Sequence, residues 1–98
     1  MRDPLILKQV KETLALLTAI APGGAIEVRI PPYAAVQCGA GPTHTRGTPP
    51  NVIEMNADTW LELASGQIKW NDAMDQGKIS ASGVRADLTD YLPLRSKS

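Results

Sequence analysis

Pro22-Gly23-Gly24 separates two stretches whose hydrophobic residues repeat with incompatible periods, and this change constrains the fold more than any other feature of the chain. Before the break, Leu7, Val10, Leu14, Leu17 and Ala21 recur at spacings of three and four, which places them on one face of a helix. Asp3 can cap that helix and Pro4 suits its first position, so a helix is expected over about Pro4 to Ala21. After the break, Ile26, Val28 and Ile30 alternate with Glu27 and Arg29, the pattern of a strand with one apolar face. Proline disfavours helix at the residue before it, and glycine readily closes a helix end. A chain that begins this way must pack a helix onto a sheet.

The remaining elements follow from similar signals. Pro31-Pro32 cannot donate ladder hydrogen bonds, so the strand ends, bulges or runs along an edge there, and Tyr33 to Cys38 resumes an extended run. Gly39 to Pro50 holds three glycines and three prolines in twelve residues and reads as a loop, with a third strand over Asn51 to Met55. Asn56 or Asp58 can cap a helix in which Trp60, Leu63 and Ala64 share a face and which Gly66 ends. Asn71 is expected to cap a second short helix, with Ala73 and Met74 turned inward and Gly77 at its end. Lys78 to Ser82 then extends, and a last helix is expected from about Arg85 to Leu92, before Pro93 and a polar tail. This order gives one α+β domain over residues 1–98, with a mainly antiparallel sheet of four to five strands covered by helices.

Ten basic residues balance ten acidic ones without a Lys/Arg cluster, which argues against a nucleic-acid partner. Cys38 is the only cysteine, so an intramolecular disulfide is excluded and a reducing compartment, the cytoplasm, is expected. The apolar run Leu14 to Ala21 is too short to span a membrane, and Glu12 and Pro22 spoil its reading as a signal peptide.

Motifs for catalysis are missing. Gly39-Ala40-Gly41 begins like a dinucleotide fingerprint, but Pro42 follows and His44 stands where the third glycine belongs. Neither a phosphate loop nor a nucleophile elbow is present, and one histidine with one cysteine makes no zinc site. No catalytic residue, metal or cofactor is therefore expected. Cys38 and His44 could in principle form a thiolate pair, although a lone cysteine at the end of an apolar strand is usually a small buried hydrophobe. His44 and Arg46, among the threonines of the Gly41 to Pro50 segment, could hold an anion, or Arg46 could brace the loop through its own carbonyls. Trp60, Leu63, Met74, Ile79, Leu88 and Leu92 converge from several elements and either line an apolar groove between helices and sheet or simply form the core.

The run Ala57-Asp58-Thr59-Trp60-Leu61-Glu62-Leu63-Ala64-Ser65-Gly66, followed by Ala73, Gly77-Lys78-Ile79, Gly83 and a closing leucine segment, resembles the sterol carrier protein family. Val28-Arg29-Ile30-Pro31-Pro32-Tyr33, Val36-Gln37-Cys38 and Thr43-His44-Thr45-Arg46-Gly47-Thr48-Pro49-Pro50 are similar to its bacterial orthologue branch. The resemblance implies a sheet backed by helices around an apolar tunnel or groove for an acyl chain or flat lipid, and it brings no catalytic residue. The expected function is a non-enzymatic binding module for an apolar or amphipathic small molecule, with His44 and Arg46 near the groove mouth. The alternative is an accessory or dimerisation domain that carries no lipid and pairs with itself or docks on a partner enzyme through a helix face or an exposed sheet edge, which the proline-broken strand would leave.

Overall fold

A computed structural model describes residues 3–41 and 50–94. The first helix, α1, spans Pro4–Ile20, one residue short of the expected end. Asp3 caps it as its sequence suggests, its carboxylate accepting hydrogen bonds from the backbone N–H groups of Leu5 and Ile6. Val10, Leu14 and Leu17 form its buried face.

Four strands make the sheet: β1 (Ile26–Ile30), β2 (Ala34–Cys38), β3 (Val52–Met55) and β4 (Ile79–Ser82), in the spatial order β2-β1-β3-β4. Pro31-Pro32 forms the tight turn between β1 and β2, closed by the Tyr33 N–H donating to the Ile30 carbonyl at 2.8 Å, so the two prolines fall between ladder partners rather than within a strand. β1 pairs antiparallel with β2 and parallel with β3, and β3 pairs antiparallel with β4. The sheet is thus mainly antiparallel, as expected, with one central parallel pair.

Register decides which residues reach the core. Val28 faces Val36 and Ile53, and Met55 faces Ile79, so Ile26, Val28, Ile30, Ile53, Met55 and Ile79 share the covered face. Glu27, Arg29 and Glu54 lie on the opposite face, where Arg29 pairs with Glu27. Hydrogen bonding to Glu27, and then its charge, raises the affinity of Arg29 for its proton.

α2 (Ala57–Ser65) packs against α1 over the covered face. Asn56 is its cap, accepting from the Thr59 N–H at 2.8 Å, and Gly66 closes it in the left-handed conformation at φ +87°. A shorter helix, α3, runs from Trp70 to Asp75. Its start differs from expectation: Lys69, which makes no side-chain capping bond, holds the cap position, and Asn71 lies inside the helix. Trp70 and Ala73 turn inward, while Met74 is 39% exposed, against the inward orientation expected of it.

The largest correction concerns the last helix. Instead of a helix over Arg85 to Leu92, the chain makes one 3₁₀ turn at Thr89–Tyr91. The Asp87 carboxylate accepts from the Thr89 N–H at 2.7 Å and from the Thr89 hydroxyl, a local alternative that competes with helical hydrogen bonds. Ala86 and Leu88 still reach the core, so the segment contributes packing without an α-helix.

Two backbone joints fix the ends of the sheet. Gly23-Gly24 and Gly39-Ala40-Gly41 lie side by side: Gly24 N–H donates to the Gly41 carbonyl at 3.0 Å and Ala25 N–H to that of Gly39 at 3.2 Å. A side chain on Gly23 would overlap the Gly39 carbonyl, so these glycines serve close chain approach rather than a phosphate. At the other joint, the buried Asn51 side chain donates to the Ala25 carbonyl at 2.8 Å and accepts from the Arg85 N–H at 2.9 Å.

Candidate functional site

The six apolar residues that the sequence points to do not stay together. Trp60, Leu63, Ile79 and Leu88 are buried in the core, Met74 is exposed and Leu92 is half-buried. Trp60, Ile79 and Leu88 form part of the close-packed core, the second of the two readings that the sequence leaves open for this set. His44 and Arg46 lie outside the described residues.

A cavity of about 490 Å³ lies at the surface, between the C-terminal end of α2, the start of α3 and the final segment of the chain. Leu63, Ile68, Trp70, Leu92 and Pro93 supply its apolar wall, with Gly66 between them. Lys69, Asn71, Asp72 and Thr89 supply the polar part of the lining, and all four side chains are exposed, whereas Leu63 and Trp70 are buried. Depth is therefore apolar and the outer part polar, an arrangement suited to an amphipathic molecule. Its volume falls within the range of about 300 to 1,000 Å³ usual for small-molecule sites.

Local sequence builds this wall in three steps. Gly66 reverses the chain after α2, and its lack of a side chain leaves room for the Pro93 ring, which a Cβ there would crowd. Ile68 and Lys69 then lead into α3, whose first residue, Trp70, is placed by the turn rather than by a long helix. The final segment is held by the Leu94 N–H donating to the Ala64 carbonyl at 2.9 Å, which brings Leu92 and Pro93 over the cavity.

Of the sequence-derived site residues, Leu63 and Leu92 line this cavity. Hydrophobic pattern alone does not select Ile68, Lys69 and Trp70 for it. Trp70 is visible in the sequence as a large apolar side chain beside a lysine, but only the turn at Gly66 brings that pair to the α2 end.

Cys38 is fully buried, and burial pushes its thiol up from 9.0 to about 11. Burial and a raised thiol pKa suit a small hydrophobe better than a thiolate nucleophile. No group of three or more His, Cys, Asp or Glu side chains suited to a metal ion occurs among the described residues. None of the described helices is long and apolar enough to cross a membrane.

The family model described as bacterial SCP ortholog matches residues 3–94, nearly the whole chain. The chain belongs to that family. Among solved structures, it is similar to the solution structure of the sterol carrier protein domain 2 of Helicoverpa armigera, with a TM-score of 0.56 and 20% sequence identity over 99% of this chain and 97% of that one. At that identity the likeness concerns the fold: a four-stranded, mostly antiparallel sheet flanked by helices. No curated protein matches the chain. Membership of the SCP family is consistent with a non-enzymatic domain that binds a small molecule.

Proposed function

We propose that this SCP-family domain binds an apolar or amphipathic small molecule, an acyl chain or a flat lipid, in the cavity beside Trp70. The observation that carries this reading is the cavity's composition: Leu63, Ile68, Trp70, Leu92 and Pro93 form an apolar wall, and an exposed lysine, Lys69, stands at the same site. About ten buried methylenes give roughly 8 kcal/mol gross, enough for near-micromolar binding before ordering costs. The lysine favours a carboxylate or phosphate head. Arg46 and His44 of the Gly39 to Pro50 loop are proposed as a second source of head-group contacts.

Tryptophan fluorescence tests the proposal, because Trp70 lines the cavity and Trp60 does not. Titration with a fluorescence-silent fatty acid should change emission in the wild-type protein and in Trp60→Phe, and should leave Trp70→Phe unchanged. A saturating acyl ligand that shifts neither emission nor melting temperature overturns the reading, since a ligand bound only by the folded state must stabilise it.

A further inference from the structure

α1 carries a second apolar seam in addition to the one it buries. Val10, Leu14 and Leu17 face the core, whereas Leu5, Leu16 and Ile20 point to solvent with exposures of 64%, 38% and 49%. Leu5, Gln9, Glu12, Leu16 and Ala19 follow one another at alternating spacings of four and three, so they stack along one side of the helix, with Ile20 beside them. A single exposed leucine is ordinary. Leu16 and Ile20 lie one turn apart, and Leu5 lies three turns away on the same strip beyond Gln9 and Glu12, so the strip runs lengthwise as a helix offers itself to another helix.

A groove adjoins the seam. A cavity of about 480 Å³ lies between α1 and α2, with Leu16, Leu61, Ala64 and Leu94 as its apolar lining and Gln9 and Glu12 along the α1 side. A leucine from another helix laid on the seam would enter it beside Leu16.

The order of residues along the seam selects the occupant. When a second copy of α1 lies antiparallel on the first, Leu5 of each copy meets Leu16 of the other, and Gln9 of each meets Glu12 of the other. Lys8, which flanks the seam, then approaches Glu12 of the second copy. In a parallel pairing Glu12 would face Glu12, and like charges at that separation repel. The antiparallel orientation therefore sets leucine on leucine with lysine toward glutamate, and the arrangement is two-fold symmetric.

We propose that the chain forms an antiparallel two-fold dimer through the solvent face of α1, with Leu5 of each copy seated against Leu16 at the groove between α1 and α2. This contact uses none of the residues that line the cavity beside Trp70, so it stands or falls independently of the ligand reading. A single helix pair buries a modest area, so the association is weak and depends on concentration.

Sedimentation equilibrium on the full chain, from about 5 μM to about 1 mM, spans the range in which such a contact would associate. The mass should rise toward twice the monomer value. Leu16→Glu and Leu5→Glu should each weaken association by on the order of tenfold or more, while circular dichroism shows each variant folded, since both side chains are exposed. Glu12→Lys should weaken it by opposing Lys8, and adding Lys8→Glu should restore it. Mixing a Gln9→Cys chain with a Glu12→Cys chain under oxidising conditions should yield the mixed disulfide in preference to either like pair, with Cys38 silent because it is buried. A mass that stays monomeric across the range overturns the proposal. So does a dimer indifferent to both leucine substitutions, or like-with-like crosslinking.

Discussion

The indole N–H of Trp60 donates to the hydroxyl of Thr13 at 2.7 Å, joining α2 to α1 across 47 residues of sequence. Trp60 is the largest fully buried side chain, and in a domain without phenylalanine it fills much of the space between the helices and the sheet. Its one polar atom has to be satisfied there. Thr13 meets that need while its own hydroxyl donates to the Gln9 carbonyl at 2.7 Å, so a residue of moderate helix propensity is retained in mid-helix.

Thr13→Val preserves shape but removes the acceptor, leaving a buried indole donor without its partner. Urea denaturation should show a loss of about 1 to 3 kcal/mol. Thr13→Ser, which keeps the hydroxyl, should cost less than about 1 kcal/mol. A larger loss in Thr13→Ser than in Thr13→Val would show that the methyl group, not the hydrogen bond, is what the site uses.

Asn51 and Gly83 should be more sensitive than any surface position. Asn51→Ala severs the side-chain links to Ala25 and Arg85 and strands both backbone groups, with an expected cost of about 2 to 4 kcal/mol. Gly83 has φ of +106°, and a side chain there would overlap the Pro50 carbonyl and Asn51, so Gly83→Ala should destabilise at least as much. Thermal melts of the two variants against Val84→Ala, at a fully exposed neighbour, provide the comparison.

Cys38 predicts a specific alkaline dependence of stability. Its thiol is held neutral in the folded protein up to about pH 11, against 9.0 for an unhindered thiol, so the unfolded state releases this proton first as pH rises. The contribution is complete below pH 9 and is lost progressively through about pH 11. Each unit of pKa difference corresponds to about 1.4 kcal/mol. The informative quantity is the wild-type stability minus that of Cys38→Ala, measured at several pH values, because it isolates this one thiol. That difference should shrink as pH rises above 9.

Head-group recognition separates two cations. Lys69→Gln should weaken a fatty acid by about twofold to fivefold and leave the matching fatty alcohol unchanged, the modest effect expected of an exposed charge. Arg46→Met should cost the fatty acid about 1.5 to 3 kcal/mol if that side chain holds the head, and should affect acid and alcohol equally if it only braces its loop. Isothermal titration of both variants with both ligands checks the assignment.

The elements with a strong local signal are legible in the sequence. Asp3 and Asn56 cap their helices, Gly66 ends α2, and Ile26, Val28 and Ile30 bury one face of β1, because capping, chirality and side-chain period act within a few residues. The same locality makes the helix-to-sheet order readable. The bacterial orthologue resemblance rests on runs of consecutive residues, which the chain carries whatever its fold.

Tertiary structure decides what depends on partners distant in sequence. Whether Trp60 or Trp70 faces a cavity turns on where the chain goes after Gly66 and on Leu94 reaching Ala64, neither of which the hydrophobic pattern encodes. Residues 85–92 show a leucine spacing compatible with an α-helix, yet Asp87 bonds to Thr89 and Ala86 and Leu88 are buried, and the segment forms an edge of the core with a single 3₁₀ turn. Periodicity states which side of an element is apolar. Which apolar side is covered by another, and which stays open as on α1, is set by how the volumes of the elements fill the space between them.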